Sequence, residues 1–286
     1  MHKILERFLA EVLSEGGLAP DQAWSAAQRA RLAAIAAEVF EDYEERGRTG
    51  RLIRWRLQRA QLLDTLEHFL DVDNLHRAQR QARPERVEFP FGTGAAPPVR
   101  IVIPNGRVLS FQGWADRVDR AQDGTLLVSD YKTGKADRYQ AVVSGDPVQA
   151  GQTLQLGLYA EAAQQLLGSE RAEAHYWMLS PEGDHLRQGY PWTPERRARF
   201  VEVVATIVEG IEAGLFPAAP GQWNNFFNTN ENCRHCEFDR LCPHDRGEMA
   251  EAKVAAPQLR GRAALAGTGA ADPADERPGN SSEDPS

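Results

Sequence analysis

The stretch that most limits what this chain can fold into runs from Gly113 to Lys132, GWADRVDRAQDGTLLVSDYK. Asp123-Gly124, flanked by apolar alternation, predicts a tight hairpin between two strands. Strand side chains alternate between faces, so Leu126, Val128, Asp130 and Lys132 share one face of the second strand. Trp114, Asp116 and Val118 share a face of the first. Asp116 is thereby set between two residues that favour burial, where a carboxylate is costly without a cation or a donor. Two such carboxylates, with a lysine two residues beyond the second, suggest a divalent-metal site for phosphodiester cleavage. An isolated Asp-x-Lys is also what a solvated strand edge looks like, so the surrounding order has to decide.

That order begins with helices. Ile4, Leu5, Phe8, Leu9, Val12 and Leu13 recur at helical spacing over residues 1–15 and stop at Gly16-Gly17. Pro20-Asp21 opens a second predicted helix to about Arg46. A third covers Leu52 to about Gln81. From Pro84 the period shortens: 86–91, 99–103, 108–118 and 126–132 read as strands. Residues 134–151 read as a loop with room for a short helix. A helix over 153–167 ends at Gly168. Strands follow at 174–179 and 185–190, with a turn at Pro181-Glu182-Gly183. Thr193-Pro194 then starts a helix to about Ala213 as N-cap and first helical residue.

The expected class is α/β: a mixed central sheet flanked by helices, with an N-terminal helical segment (1–82), a core (83–214) and a cysteine-rich cap (215–246). Residues 247–286 are rich in Ala, Gly, Pro and Ser and lack aromatics, which predicts a disordered tail. No apolar run approaches the roughly 20 residues that span a bilayer. The apolar pattern at the N-terminus is interrupted by Glu6, Arg7 and Glu11, unlike a secretory signal, so the default expectation is a cytoplasmic protein with no membrane contact. Net charge is −8, half of it in residues 263–286. An acidic total is compatible with a locally basic nucleic-acid cleft, so the balance decides little.

The order Gly-x-x-Asp-Arg-x-Asp (113–119), hairpin turn, apolar strand, Asp-Tyr-Lys-Thr-Gly (130–134), then a helix with Gln155 and Tyr159, resembles the RecB-like branch of the PD-(D/E)XK nucleases. The resemblance covers about residues 1–245 and implies a restriction-endonuclease-like core. It implies Asp116 and Asp130 as ligands of Mg2+ or Mn2+, Lys132 as the catalytic lysine, and the Tyr131 backbone carbonyl completing the metal shell. Gln155 and Tyr159, at i and i+4 on one helix face, are implied to border the site and contact nucleic acid. His2-Lys3-Ile4-Leu5-Glu6 matches the family's His-x-x-Leu-Glu, which makes His2 a metal ligand rather than an exposed terminal residue. Glu88 is placed either to face the site or as an ordinary strand-surface carboxylate. Arg117 and Asp119, on the opposite strand face, read as structural or nucleic-acid-facing.

Cys233, Cys236 and Cys242 show Cys-x2-Cys-x5-Cys, followed by Pro243 and His244. Clustered cysteines in a cytosolic protein favour a metal or cluster site over disulfides. The three match the downstream set that holds a [4Fe–4S] cluster in AddB-type helicase–nuclease subunits and CRISPR-associated four-cysteine exonucleases. The family's fourth, upstream cysteine is absent, so an incomplete cluster is expected. Zinc held by the three thiolates with His235 or His244 is the alternative, and three unligated thiols a further one. With the family's His at position 2, an N-terminally shortened form is the expectation.

The resemblance implies a metal-dependent DNA nuclease, an exonuclease on single strands or ends, working beside a helicase in recombinational repair. No Gly-x-x-x-x-Gly-Lys-[Ser/Thr] occurs, so a motor would be a separate chain. The competing readings are a non-catalytic DNA-binding module of the same fold and a zinc-binding interaction protein.

Overall fold

The computed structural model describes residues 1–139, 146–180, 183, 185–254 and 256–265. Two compact units divide at Glu202/Val203.

In the first unit three helices come first: α1 (His2–Ser14), α2 (Ala26–Glu45) and α3 (Leu52–Arg80). On α1, Ile4, Leu5, Phe8, Leu9 and Val12 form the buried stripe that the helical spacing dictates. Burying each such side chain contributes about 1.5–3 kcal/mol. The start of α2 lies later than the expected Pro20-Asp21. Ser25 and Gln28 form a reciprocal capping box there, satisfying backbone donors that Pro20 could not. The preceding residues are pinned instead by Trp24, whose Nε1 donates to Asp73 at 2.8 Å.

Five strands form the main sheet in the order β1 (Ala82–Phe91), β4 (Gly113–Ala121), β5 (Leu126–Lys132), β6 (Ala172–Met178), β7 (Arg187–Pro191). The β5/β6 pair is parallel and the other three are antiparallel, so the sheet is mixed. The expected single strand over 108–118 is in fact two. β3 (Val108–Phe111) pairs with β2 (Val99–Val102) in a separate ribbon, and β4 begins only at Gly113. The Phe91 ring lies over Gly113, where any Cβ would come within 2.8 Å of it. The β4–β5 turn closes as the Asp-Gly signal predicts: Gly124 has φ +86°, and the Thr125 N–H donates to Asp123 Oδ1 at 2.9 Å.

The sheet is covered on both faces. Apolar residues of α1, α2 and α3 form one core with Tyr131, Trp177 and Leu179. The helix α4 (Gln155–Leu167), ended by Gly168 in the left-handed region, makes the crossover between β5 and β6. Gly157 lets α4 approach Phe200 and Trp192; a Cβ there would meet the Phe200 ring at 2.6 Å. Glu161, buried on α4, bonds Trp192 Nε1 at 3.0 Å and Arg197 Nε at 2.9 Å. Thr193 caps α5 (Pro194–Glu212), accepting from the Arg196 N–H at 3.4 Å. The unit boundary falls within this helix.

On the face beneath α3 the sheet carries ions. Arg117 Nη1 lies 2.7 Å from Asp73 Oδ1, Arg117 Nε donates to Asp119 Oδ1 at 2.6 Å, and Arg77 Nε to Asp73 Oδ2 at 2.8 Å, all fully buried. Arg117 and Asp119 are therefore structural, and the nucleic-acid-facing reading is corrected. Trp114 departs from expectation too. It is half-exposed, because the pairing of β4 with β5 begins only at Arg117.

The second unit carries a two-stranded ribbon, β8 (Trp223–Asn224) with β9 (Thr229–Asn230), and the helices α6 (Arg246–Val254) and α7 (Arg260–Leu265). The predicted disorder thus does not begin at 247. Ala, Glu, Lys and Arg are strong helix formers, and a missing aromatic core does not prevent a helix. The rest of that expected tail, 266–286, lies outside the described residues, as do 140–145 of the predicted loop and Pro181-Glu182 of the predicted turn. No helix among the described residues is long and apolar enough to cross a membrane.

Candidate active site

The β4–β5 register pairs Arg117 with Ser129 and Val118 with Val128. One step further along this register sets Asp116 opposite Asp130. There the Asp116 carboxylate turns onto the neighbouring strand: Oδ2 accepts from the Tyr131 N–H at 2.6 Å. His2, the first residue of α1, reaches the same point. Its Nε2 donates to the Tyr131 carbonyl at 2.9 Å and lies 3.4 Å from Asp116 Oδ2. The backbone of Tyr131 is held still by its ring, which is buried and packs edge-on against Phe69 at 5.8 Å between centroids. Bonding to Asp116 raises the pKa of His2, and burial partly offsets this.

A second chain of contacts starts at Asp130. Lys132 forms an ion pair with Asp130, donates to Gln155 Oε1 at 3.3 Å and lies 5.1 Å over the Tyr176 ring. Gln155 Nε2 in turn donates to the Tyr159 hydroxyl at 2.9 Å, the i,i+4 neighbour on α4. Burial pushes the Asp130 pKa up to about 6, with Lys132 pulling it down and Asp116 adding to the rise. The Tyr159 hydroxyl is pushed up to about 12 by burial and by the nearby carboxylates.

The structure thus brings His2, Asp116, Asp130, Tyr131, Lys132, Gln155 and Tyr159 to one end of the sheet. It does not close the carboxylates and the imidazole into a ligand shell. Among the described residues no three His, Cys, Asp or Glu side chains stand together so as to hold a metal ion. His2 and Asp116 are turned onto Tyr131, and Asp130 onto Lys132. The chemistry of the donor set still fits a hard divalent cation: two carboxylates, a carbonyl oxygen and an imidazole at one end of the sheet. A buried carboxyl with a raised pKa, such as Asp130, is a group that a bound cation would stabilise as the anion.

Two neighbours extend the site. Glu88, left open between a site residue and a surface one, lies across from Asp116: its flanking pairs are Val87 with Arg117 and Phe89 with Ala115. It has φ +45°, a left-handed conformation rare for a glutamate in a strand. Burial raises its pKa, and the charges of Asp116 and Glu6 add to the shift. Tyr176, beneath the Lys132 amine, escaped sequence reasoning. Its period-two position on β6 was legible, but the parallel register that sets it beside Asp130 was not.

The cysteine segment lies in the second unit. Cys233 ends one 3-10 turn and Cys242 follows another, with the Cys236 N–H donating to the Cys233 carbonyl at 3.1 Å between them. All three are free thiols; Cys233 is part-buried, and Cys236 and Cys242 are exposed. They form no ligand cluster with one another or with His235 or His244 among the described residues. Metal sites of this kind are often completed only when the metal binds, so the [4Fe–4S] reading and its zinc alternative both stand as expectations.

The model of the PD-(D/E)XK nuclease superfamily matches residues 1–243. Among curated proteins, the chain is similar to a subunit of the ATP-dependent helicase/deoxyribonuclease of Moorella thermoacetica. The two are 32% identical over 155 residues, covering 51% of this chain and 13% of that protein. It is also 32% identical over 190 residues to the subunit of the same name from Symbiobacterium thermophilum, covering 60% of this chain and 15% of that one. The chain therefore spans only about a seventh of the length of these relatives.

Proposed function

The chain belongs to the PD-(D/E)XK nuclease superfamily, and from that premise we propose that it is a divalent-metal-dependent deoxyribonuclease domain that hydrolyses phosphodiester bonds in DNA. The observation that carries this reading is the convergence of His2 and Asp116 on the Tyr131 backbone beside the Asp130–Lys132 pair. Asp116, Asp130, His2 and the Tyr131 carbonyl would hold Mg2+ or Mn2+. Bound there, the ion would supply a water of lowered pKa and charge to stabilise the phosphoryl oxygens.

The chain's own residues do the positioning. For His2 and the Tyr131 carbonyl both to serve as ligands, His2 would have to leave the carbonyl it bonds and carry no proton on Nε2. Lys132 is a compact cation at the strand end, tethered by Asp130 and Gln155, and neutralises charge that develops on the scissile phosphate. Gln155 and Tyr159 hold the lysine's far side and face the substrate strand.

The relatives named as ATP-dependent helicase/deoxyribonuclease subunits support a role beside a helicase; recombinational repair, with single strands or ends as the substrate, completes the proposal. Mn2+- or Mg2+-dependent cleavage of end-labelled single-stranded and duplex DNA tests the reading. Activity is expected with the wild-type chain and none with Asp116→Asn or Lys132→Ala. Near-wild-type turnover in either variant would overturn the site assignment.

A further inference from the structure

The start of α3 carries a basic surface outside the site described above. Between Glu45 and Asp64 the chain has six arginines and no carboxylate, in a protein whose net charge is −8. Two of the six are used within the fold. Arg46 pairs with Asp42 at 2.7 Å, and Arg59 bonds Glu44 at 3.0 Å while lying over the Phe40 ring. Arg48, Arg51, Arg54 and Arg56 are exposed and have no carboxylate partner among the described residues.

Their direction is set by Trp55. It is buried, packs edge-on against Phe40 at 5.4 Å, and donates from Nε1 to Glu44 at 2.5 Å. With Trp55 turned inward, Ile53 and Leu57, one helical turn apart, point out between Arg54 and Arg56. Ile53 is 74% exposed and Leu57 67%, and Leu52 beside them is 62% exposed. The same helix leads to the candidate site: Phe69, fifteen residues beyond Arg54, packs on the Tyr131 ring. At 1.5 Å per residue the basic surface stands about 22 Å from that contact along the helix axis.

We infer that Arg48, Arg51, Arg54 and Arg56, with Ile53 and Leu57 between them, bind single-stranded DNA away from the cleavage site. This rests on the nuclease reading proposed above. Guanidinium groups match phosphate geometry, and their binding releases condensed counterions. The exposed aliphatic side chains decide between strand states. Unpaired bases offer apolar faces to pack on, whereas a duplex keeps those faces stacked inside. The surface is a hold on the substrate, so it acts only on strands long enough to reach from it to the site.

The test uses the full chain, with Arg48, Arg51, Arg54 and Arg56 all changed to glutamine, and a second variant Ile53→Ser/Leu57→Ser. Circular dichroism confirms that both remain folded. Binding of a fluorescent single strand of about 16 nucleotides, a length within known site sizes, is measured in EDTA over a range of salt. The four-arginine variant should bind at least tenfold more weakly, and its log–log salt slope should be shallower by about 3. The aliphatic variant should lose affinity for the single strand and keep that for the duplex. Cleavage of a dinucleotide, too short to span the gap, should be unchanged in both. Unchanged affinity and salt slope overturn the inference and leave the surface to an acidic protein partner. Equal losses for single strand and duplex in the aliphatic variant overturn the single-strand assignment. Because binding is read without metal, a wild-type chain that cleaves nothing counts against the proposed activity and not against this surface.

Discussion

His2 Nε2 stands 3.4 Å from Asp116 Oδ2, and the two residues, 114 positions apart, are held by opposite ends of one residue's backbone, the N–H and carbonyl of Tyr131. The start of the chain is thereby tied to the centre of the sheet. Any shift of α1 is felt at Asp116, and any shift of β5 at both.

Metal affinity should follow the protonation of Asp130. Its pKa is raised to about 6, chiefly by burial, so the carboxylate form needed by a cation is depleted as pH falls through 6 and restored above it. Calorimetric Mn2+ titrations at pH 5.5 and 7.5 should give weaker binding at the lower pH, with more protons released. Equal affinities at the two pH values would contradict Asp130 as a ligand.

Tyr159→Phe removes the hydroxyl that accepts from Gln155, and Gln155→Ala removes the acceptor for Lys132. Tyr159→Phe deletes one hydrogen bond and Gln155→Ala two, at about 1 kcal/mol each, which predicts a roughly fivefold loss of turnover or DNA affinity in the first and a larger loss in the second. Mn2+ affinity should be retained. Loss of the metal in either variant would move these residues into the ligand shell.

Arg117→Leu should destabilise the fold strongly. It leaves Asp73 and Asp119 buried with one cation removed, a change that typically costs about 3–5 kcal/mol. Urea denaturation reads it as a fall in midpoint, and a shift corresponding to less than about 1 kcal/mol would show that the network is dispensable.

Glu161 provides a pH-dependent term on the helix that also carries Gln155 and Tyr159. Burial would raise its pKa, but Arg197, Gln165 and Trp192 outweigh that and hold it below the usual carboxylate value. A depressed pKa stabilises the fold above the unfolded value, and that stability is lost as pH falls through the folded one. Glu161→Gln should therefore cost about 1–2 kcal/mol at pH 7, with the difference from wild type shrinking below about pH 4. A difference that stays constant between pH 7 and pH 3 would exclude the charge as its source.

The chain's order of elements was legible without coordinates wherever local chemistry decides it. Helical spacing in Ile4–Val12, the Asp123-Gly124 turn, Thr193-Pro194 at the start of α5 and Gly168 at the end of α4 all act within a few residues. The alternation that put Asp130 and Lys132 on one strand face is equally local. What depended on distant partners was decided by the tertiary structure. The start of α2 moved to Ser25 because Trp24 is claimed by Asp73. Arg117 and Asp119 went into the interior because α3 supplies Asp73 against that face. The parallel register of β5 with β6 set Tyr176 under the lysine, and the crossing of α1 brought His2 to Asp116. A residue's periodicity is fixed by its own backbone, but its partner is selected only when the helical layer and the sheet bury each other's surfaces.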